Sequence, residues 1–114
     1  MLTIEKLKAY GADVREGLER CVNNEAFYLG LVAKVLPDRK LDELEEAIGR
    51  GDLDAAFEIA HTLKGLYGNL SLTPLYVPVC EMTEYLRSRT ETDYSALLAE
   101  AKAQKEKLDA LAAD

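Results

Sequence analysis

Leu53-Asp54-Ala55-Ala56-Phe57-Glu58-Ile59-Ala60-His61-Thr62-Leu63-Lys64-Gly65-Leu66-Tyr67-Gly68-Asn69-Leu70-Ser71-Leu72 is the stretch whose reading decides the fold. Its apolar seam is Leu53, Ala56, Ala60, Leu63, Tyr67 and Leu70, spaced as a run of threes and fours. That spacing is the seam of a helix packed against other helices. Phe57, Ile59 and Leu66 flank the seam and widen the buried stripe. At about 100° per residue, His61 falls about 130° from the centre of that stripe and projects to solvent. Its neighbours one turn away are Phe57, Glu58, Lys64 and Gly65.

The same period extends outward in both directions. A first segment, about 3–21, carries Ile4, Leu7, Val14, Leu18 and Cys21 and breaks near Gly11-Ala12-Asp13. Asn23-Asn24 signals a cap for a helix over about 25–36. From Asp38 a helix bearing Leu41, Leu44 and Ile48 stops at Gly49-Arg50-Gly51. Pro37 either separates these two helices or kinks one bent helix. Asp52 caps the helix 53–72. Thr73-Pro74 reads as a cap followed by proline in the first helical position. The helix it opens runs to about Ser88, with Leu75, Val79, Met82 and Leu86 inward. Thr92-Asp93 caps a last helix over about 93–112, with Leu97, Ala101, Leu108 and Leu111 inward. No segment alternates as a half-buried strand does, so the chain reads as all-α. Long amphipathic helices with tight connections imply an antiparallel bundle.

The chain has 114 residues, the size of one domain. Lys+Arg number 14 and Asp+Glu 21, a net charge of −7. That balance gives no electrostatic footprint for nucleic acid or for an anionic membrane. No apolar run is long enough to span a bilayer, and the first residues lack a signal-peptide pattern. A cytoplasmic location is expected. Met1 and a complete final helix lead us to expect a free-standing protein. Cys21 and Cys80 have no CxxC spacing and read as reduced packing residues. A single histidine excludes any multi-histidine metal site.

Gly65 and Gly68 sit inside the helix, where each costs about 1 kcal/mol relative to alanine. Both lie on the His61 side and clear space beside the ring. A cation at Lys64 favours the neutral, nucleophilic imidazole by like-charge repulsion and can help neutralise a phosphoryl group on it. The constellation is therefore a nucleophile, a cation and cleared space. It has no general base, oxyanion hole or substrate pocket. Nor is there a Walker loop or a receiver-type acidic cluster, so neither ATP nor a metal ion has a recognisable site.

Ala60-His61-Thr62-Leu63-Lys64-Gly65, followed by Asn69-Leu70-Ser71-Leu72-Thr73-Pro74-Leu75, resembles the signature of histidine-containing phosphotransfer (HPt) domains. The similarity extends from about Asn24 to the end. It implies an antiparallel four-helix bundle, up-down-up-down, over about 24–112, with residues 1–22 as an accessory N-terminal helix. It further implies phosphorylation of His61 on Nε2, steadying of the phosphoryl group by Lys64, and approach of a receiver domain over Gly65. The candidate docking face is Asp54, Glu58, His61, Thr62, Lys64, Gly65, Gly68 and Asn69. The family often places a glutamine or glutamate against the imidazole Nδ1, and that position falls on Thr83. A second glycine is frequent where this chain has Ser71, and small residues where it has Leu66 and Tyr67. Pro78 is unexpected in the helix facing His61.

The function implied is that of a phosphocarrier, not an enzyme, in a two-component phosphorelay. Its partners would be response-regulator receiver domains, with a hybrid histidine kinase as a further candidate. No cofactor is expected, Mg²⁺ belonging to the partner receiver domain alone, and the chain is expected to be a monomer. Two other classes compete. One is a degenerate HPt-like docking or adaptor module without phosphotransfer. The other is a hydrolase using His61 as general base, for which no second polar group is placed.

Overall fold

A computed structural model describes residues 1–113. Seven helices account for the fold, and there is no strand among the described residues. They are α1 (Ile4–Tyr10), α2 (Val14–Arg20), α3 (Glu25–Ala33), α4 (Lys40–Gly49), α5 (Leu53–Asn69), α6 (Thr73–Arg87) and α7 (Ser95–Leu111).

Local chemistry sets most of the boundaries. Thr3, Asp13, Asn24 and Asp52 each accept a backbone N–H of the first turn they precede, at 3.1, 3.2, 3.0 and 3.1 Å. Each satisfies a donor that a helix start otherwise leaves without a partner. The N-terminal segment is two short helices, because Gly11 closes α1 in the left-handed region at φ 113°. Pro37 separates α3 from α4 rather than bending one helix. Residues 34–36 have tightened to three-residue bonds, Lys34 N to Leu31 O, Val35 N to Val32 O and Leu36 N to Ala33 O. The residue before a proline also resists the helical region.

Three expected boundaries move. The helix predicted over 53–72 ends at Asn69, and Ser71 takes a left-handed conformation at φ 57°. The cap of α6 is Leu72, not Thr73, which is already helical. In α7, Tyr94 occupies the cap position, while Asp93 Oδ1 accepts from Ser95 N at 2.9 Å and Ser95 Oγ at 2.6 Å. The inward face of α7 is Leu98, Ala101 and Leu108, while Leu97 and Leu111, expected inward, are half-buried. Pro78 does not break α6. The N–H it lacks would have reached only the carbonyl of Pro74, in the first turn.

Helices α4 to α7 form the bundle: α4 packs on α5, α5 on α6, α6 on α7, and α7 returns to α4. The connections 50–52 and 70–72 are too short to carry the chain back along a helix, so α4, α5 and α6 run antiparallel in turn. The centre is filled by Leu41 and Leu44 of α4, Ala56, Ala60, Leu63 and Tyr67 of α5, Leu75, Val79, Met82 and Leu86 of α6, and Leu98, Ala101 and Leu108 of α7. Helix α1 lies along α7, with Tyr10 OH donating to Gln104 O at 3.0 Å. Helix α3 packs on α2, outside the ring of four.

Candidate functional site

The buried seam of α5 faces the bundle and turns His61 outward, where it is exposed. The imidazole makes no hydrogen bond among the described residues. It is instead stacked on the ring of Phe57, one turn earlier, with centroids 5.6 Å apart and planes 22° from parallel. Two guanidinium groups also lie over the Phe57 ring, Arg87 at 5.3 Å and Arg89 at 4.8 Å from its centroid.

Lys64 is half-buried and reaches α6, where Nζ lies 3.5 Å from Glu84 Oε1. Glu84 also holds Arg87 at 3.4 Å. The hydrogen bond and charge of Arg87, reinforced by Lys64, keep the Glu84 carboxyl below its ordinary value. Arg89 in turn is paired with Asp54. Each of these three cations therefore already has a carboxylate, a balance that spacing along α5 alone did not reveal.

The two glycines are not equivalent. A Cβ built on Gly65 meets nothing within 4 Å, so the surface beside the imidazole is open there. A Cβ on Gly68 would lie 3.0 Å from Tyr76 Cε1 of α6. Gly68 thus admits the Tyr76 ring, and the space it clears is already used within the fold.

A groove of about 490 Å³ runs beside these residues. It brings together His61, Lys64, Gly65, Gly68 and Asn69 with Glu16, Arg20, Ser71, Thr73 and Tyr76. The remaining predicted residues lie apart from it. Thr62 is exposed, its hydroxyl donating to Glu58 O at 3.0 Å, and with Asn69 it borders a second hollow against Leu31 and Lys34. Glu58 and Asp54 are exposed on the same helix. Thr83 is fully buried, and its hydroxyl donates to Val79 O at 2.7 Å. No hydrogen bond joins Thr83 to His61.

The far wall of the groove comes from the N-terminal segment. Arg20 Nη1 donates to Gly68 O, Asn69 O and Ser71 Oγ at 2.8, 3.3 and 2.9 Å. Tyr28 OH donates to Leu70 O at 2.8 Å, and Asp13 N to Ser71 O at 2.9 Å. Four consecutive carbonyls at the end of the His61 helix thus have partners from residues 13–28. Glu16 completes the cluster, accepting from Ser71 Oγ at 2.9 Å and pairing with Arg20 at 3.0 Å. Among the described residues there is no group of three or more histidine, cysteine, aspartate or glutamate side chains able to hold a metal ion. No helix among them is long and apolar enough to cross a membrane. Cys21 and Cys80 are free thiols.

This is an all-helical domain presenting one exposed histidine on the outer face of a bundle helix. The family model of the Hpt domain matches residues 37–114, and the chain belongs to that family. The match begins just ahead of α4 and takes in the four bundle helices and His61; α1, α2 and α3 lie outside it. No curated protein and no solved structure matches the chain.

Proposed function

We propose that this chain is the phosphocarrier of a two-component phosphorelay, taking a phosphoryl group onto His61 from one receiver domain and passing it to another. The observation that carries the reading is an exposed imidazole with no hydrogen-bonding partner among the described residues, beside open space at Gly65, within an Hpt domain. The ring of a neutral histidine offers the lone pair of one nitrogen. That pair attacks the phosphorus of a partner's aspartyl phosphate, forming an N–P bond. The P–O bond to the aspartate breaks, and the carboxylate leaves with its electron pair. The remaining ring N–H keeps its proton or yields it to water. Return transfer to another aspartate reverses these steps.

Such a transfer needs in-line geometry and charge neutralisation more than covalent help. For the second, the reading looks to Lys64, which lines the same groove as His61. Mg²⁺ and the acidic pocket belong in this reading to the receiver domain, and the carrier turns nothing over by itself. Approach over Gly65 leaves the groove between His61 and Tyr76 available to the partner's surface. A cytoplasmic, monomeric carrier, with a hybrid histidine kinase able to supply the phosphoryl group, completes the proposal.

The test is phosphorylation of the purified chain by a phosphorylated receiver domain. The product should be acid-labile and base-stable, and absent from a His61→Gln variant. Undiminished labelling of that variant would place the acceptor elsewhere.

A further inference from the structure

We infer that Phe57 is the positioning residue for His61, its ring holding the imidazole by stacking where no hydrogen bond to a ring nitrogen does so. The kinetic part of this inference rests on the phosphocarrier reading above; the structural part stands on its own.

An exposed histidine on a helix is free to change rotamer, and only some orientations present a ring nitrogen to an incoming phosphorus. A hydrogen-bond acceptor or donor on one nitrogen ordinarily removes that freedom. Among the described residues His61 has neither, and the hydroxyl proton of Thr83 is committed to Val79 O at 2.7 Å. The ring stacked with the imidazole is that of Phe57, at 5.6 Å between centroids and 22° between planes. Stacking engages a face of the imidazole and leaves both nitrogens, which lie on its edge, open to a partner.

Phe57 is a firm platform. It is half-buried and packs against the core from α5. Arg87 and Arg89 both lie over its ring. Arg89 reaches that place because the chain turns back after α6: Ser88 closes the helix and Arg89 adopts φ 52°, in the left-handed region. Its Nη1 then donates to Leu86 O at 2.9 Å and Arg87 O at 3.2 Å, and its Nε to Asp54 Oδ1 at 2.5 Å. A strained residue fixed by three partners over one ring is more than core filling requires. It ties the orientation of the nucleophile to the end of α6.

The experiment uses the full chain and three versions of it: wild type, Phe57→Leu and Phe57→Tyr. Leucine keeps an apolar side chain against the core and removes the ring; tyrosine keeps the ring. Single-turnover transfer from a phosphorylated receiver domain is measured over a range of receiver concentrations. For Phe57→Leu the maximal rate should fall about three- to tenfold, the equivalent of one aromatic pair, with the half-saturating concentration unchanged. Phe57→Tyr should stay within about twofold of wild type on the same scale. A Phe57→Leu rate equal to wild type, or an equal fall in both variants, would overturn the positioning role. Proton NMR decides independently of transfer. Wild-type His61 ring protons should be displaced by the Phe57 ring current and show cross-relaxation to the Phe57 ring, and both signals should vanish in Phe57→Leu. Wild-type His61 resonances at unstructured-peptide positions would sink the inference even in a working carrier. If no receiver domain labels the wild type, the phosphocarrier reading falls and the NMR result still decides the stack.

Discussion

Arg20 Nη1 donates to the carbonyl oxygen of Gly68 at 2.8 Å, tying α2 to the end of the helix that carries His61. A helix end leaves its last carbonyls without intrahelical partners and carries partial negative charge, so a guanidinium there is doubly favourable. Arg20 also supports the left-handed turn at Ser71 by donating to its Oγ at 2.9 Å. Arg20→Ala should cost about 0.5–1.5 kcal/mol, the range for exposed charged hydrogen bonds at a helix terminus. Amide exchange should quicken selectively at residues 69–72. Urea denaturation with hydrogen exchange checks both, and an unchanged exchange rate in that turn would remove the clamp from the account.

This clamp marks where the sequence stopped being legible. The seam from Ala56 to Tyr67 was readable because helix burial repeats with a fixed period, and all four of its buried members lie in the core as expected. Exposure of His61 followed from the same geometry. The end of α5 was not readable, because it depends on Arg20, Tyr28 and Asp13, some 42 to 58 residues away in the chain for the pairs Tyr28–Leu70 and Asp13–Ser71. Gly68 looked like Gly65 because both cost helix stability; only the Tyr76 ring from α6 tells them apart. Phe57 carried a signal, its place four residues before His61, yet spacing alone could not distinguish a stacking partner from a core flank.

Gly17 is required by Tyr28. A Cβ on Gly17 would lie 2.5 Å from Tyr28 Cε1, and the ring cannot retreat without surrendering its buried hydrogen bond to Leu70 O. Gly17→Ala should therefore destabilise by about 1–3 kcal/mol, against the usual gain from alanine in a helix. Burial pushes the Tyr28 phenol up to about 12. A raised folded value means that the stabilisation is complete below the unfolded value of 10.0 and is lost as pH climbs toward 12. Wild-type stability should accordingly decline above pH 10, and less steeply in Tyr28→Phe. Denaturation midpoints across alkaline pH test this; identical slopes for the two proteins would refute it.

Glu84 already pairs with Lys64 at 3.5 Å, so on the phosphocarrier reading it would compete with a phosphoryl group for that cation. Phosphorylated Glu84→Gln should hold its phosphoryl group up to about fivefold longer than wild type, the range of a partly exposed ion pair. Lys64→Ala should hold it for a shorter time. Retention of label at neutral pH measures both, and equal lifetimes in all three proteins would take Lys64 out of the phosphorylated state. Because hydrogen bonding and charge from Arg87, with help from Lys64, depress the Glu84 carboxyl, its contribution to fold stability is present above the ordinary value of 4.5. It is lost as pH falls through the lowered folded value, so wild type and Glu84→Gln should converge in stability in acid.

Gly65 and Gly68 should part company when each is changed. Alanine at a helix-interior glycine gains up to about 1 kcal/mol when nothing opposes the methyl group. At Gly65 nothing lies within 4 Å of the new Cβ, so Gly65→Ala should stabilise the isolated chain. At Gly68 the Cβ meets Tyr76 Cε1 at 3.0 Å and Cδ1 at 3.2 Å, so the ring must shift and the gain should be cancelled or reversed. Placing Gly68→Ala in a Tyr76→Leu background should restore it, a coupling that a double-mutant cycle reads directly. Transfer should follow a different order. Gly65→Ala puts a methyl group on the approach to the imidazole, and Gly65→Gln a longer obstacle, so transfer should slow in that sequence while the fold is kept. Gly68→Ala should slow it less, since the Tyr76 ring already fills that place. Denaturation curves paired with single-turnover transfer rates decide the matter. If Gly65→Gln transfers as fast as wild type while Gly68→Ala is the slow variant, the partner approaches over Tyr76 and the docking path belongs on α6.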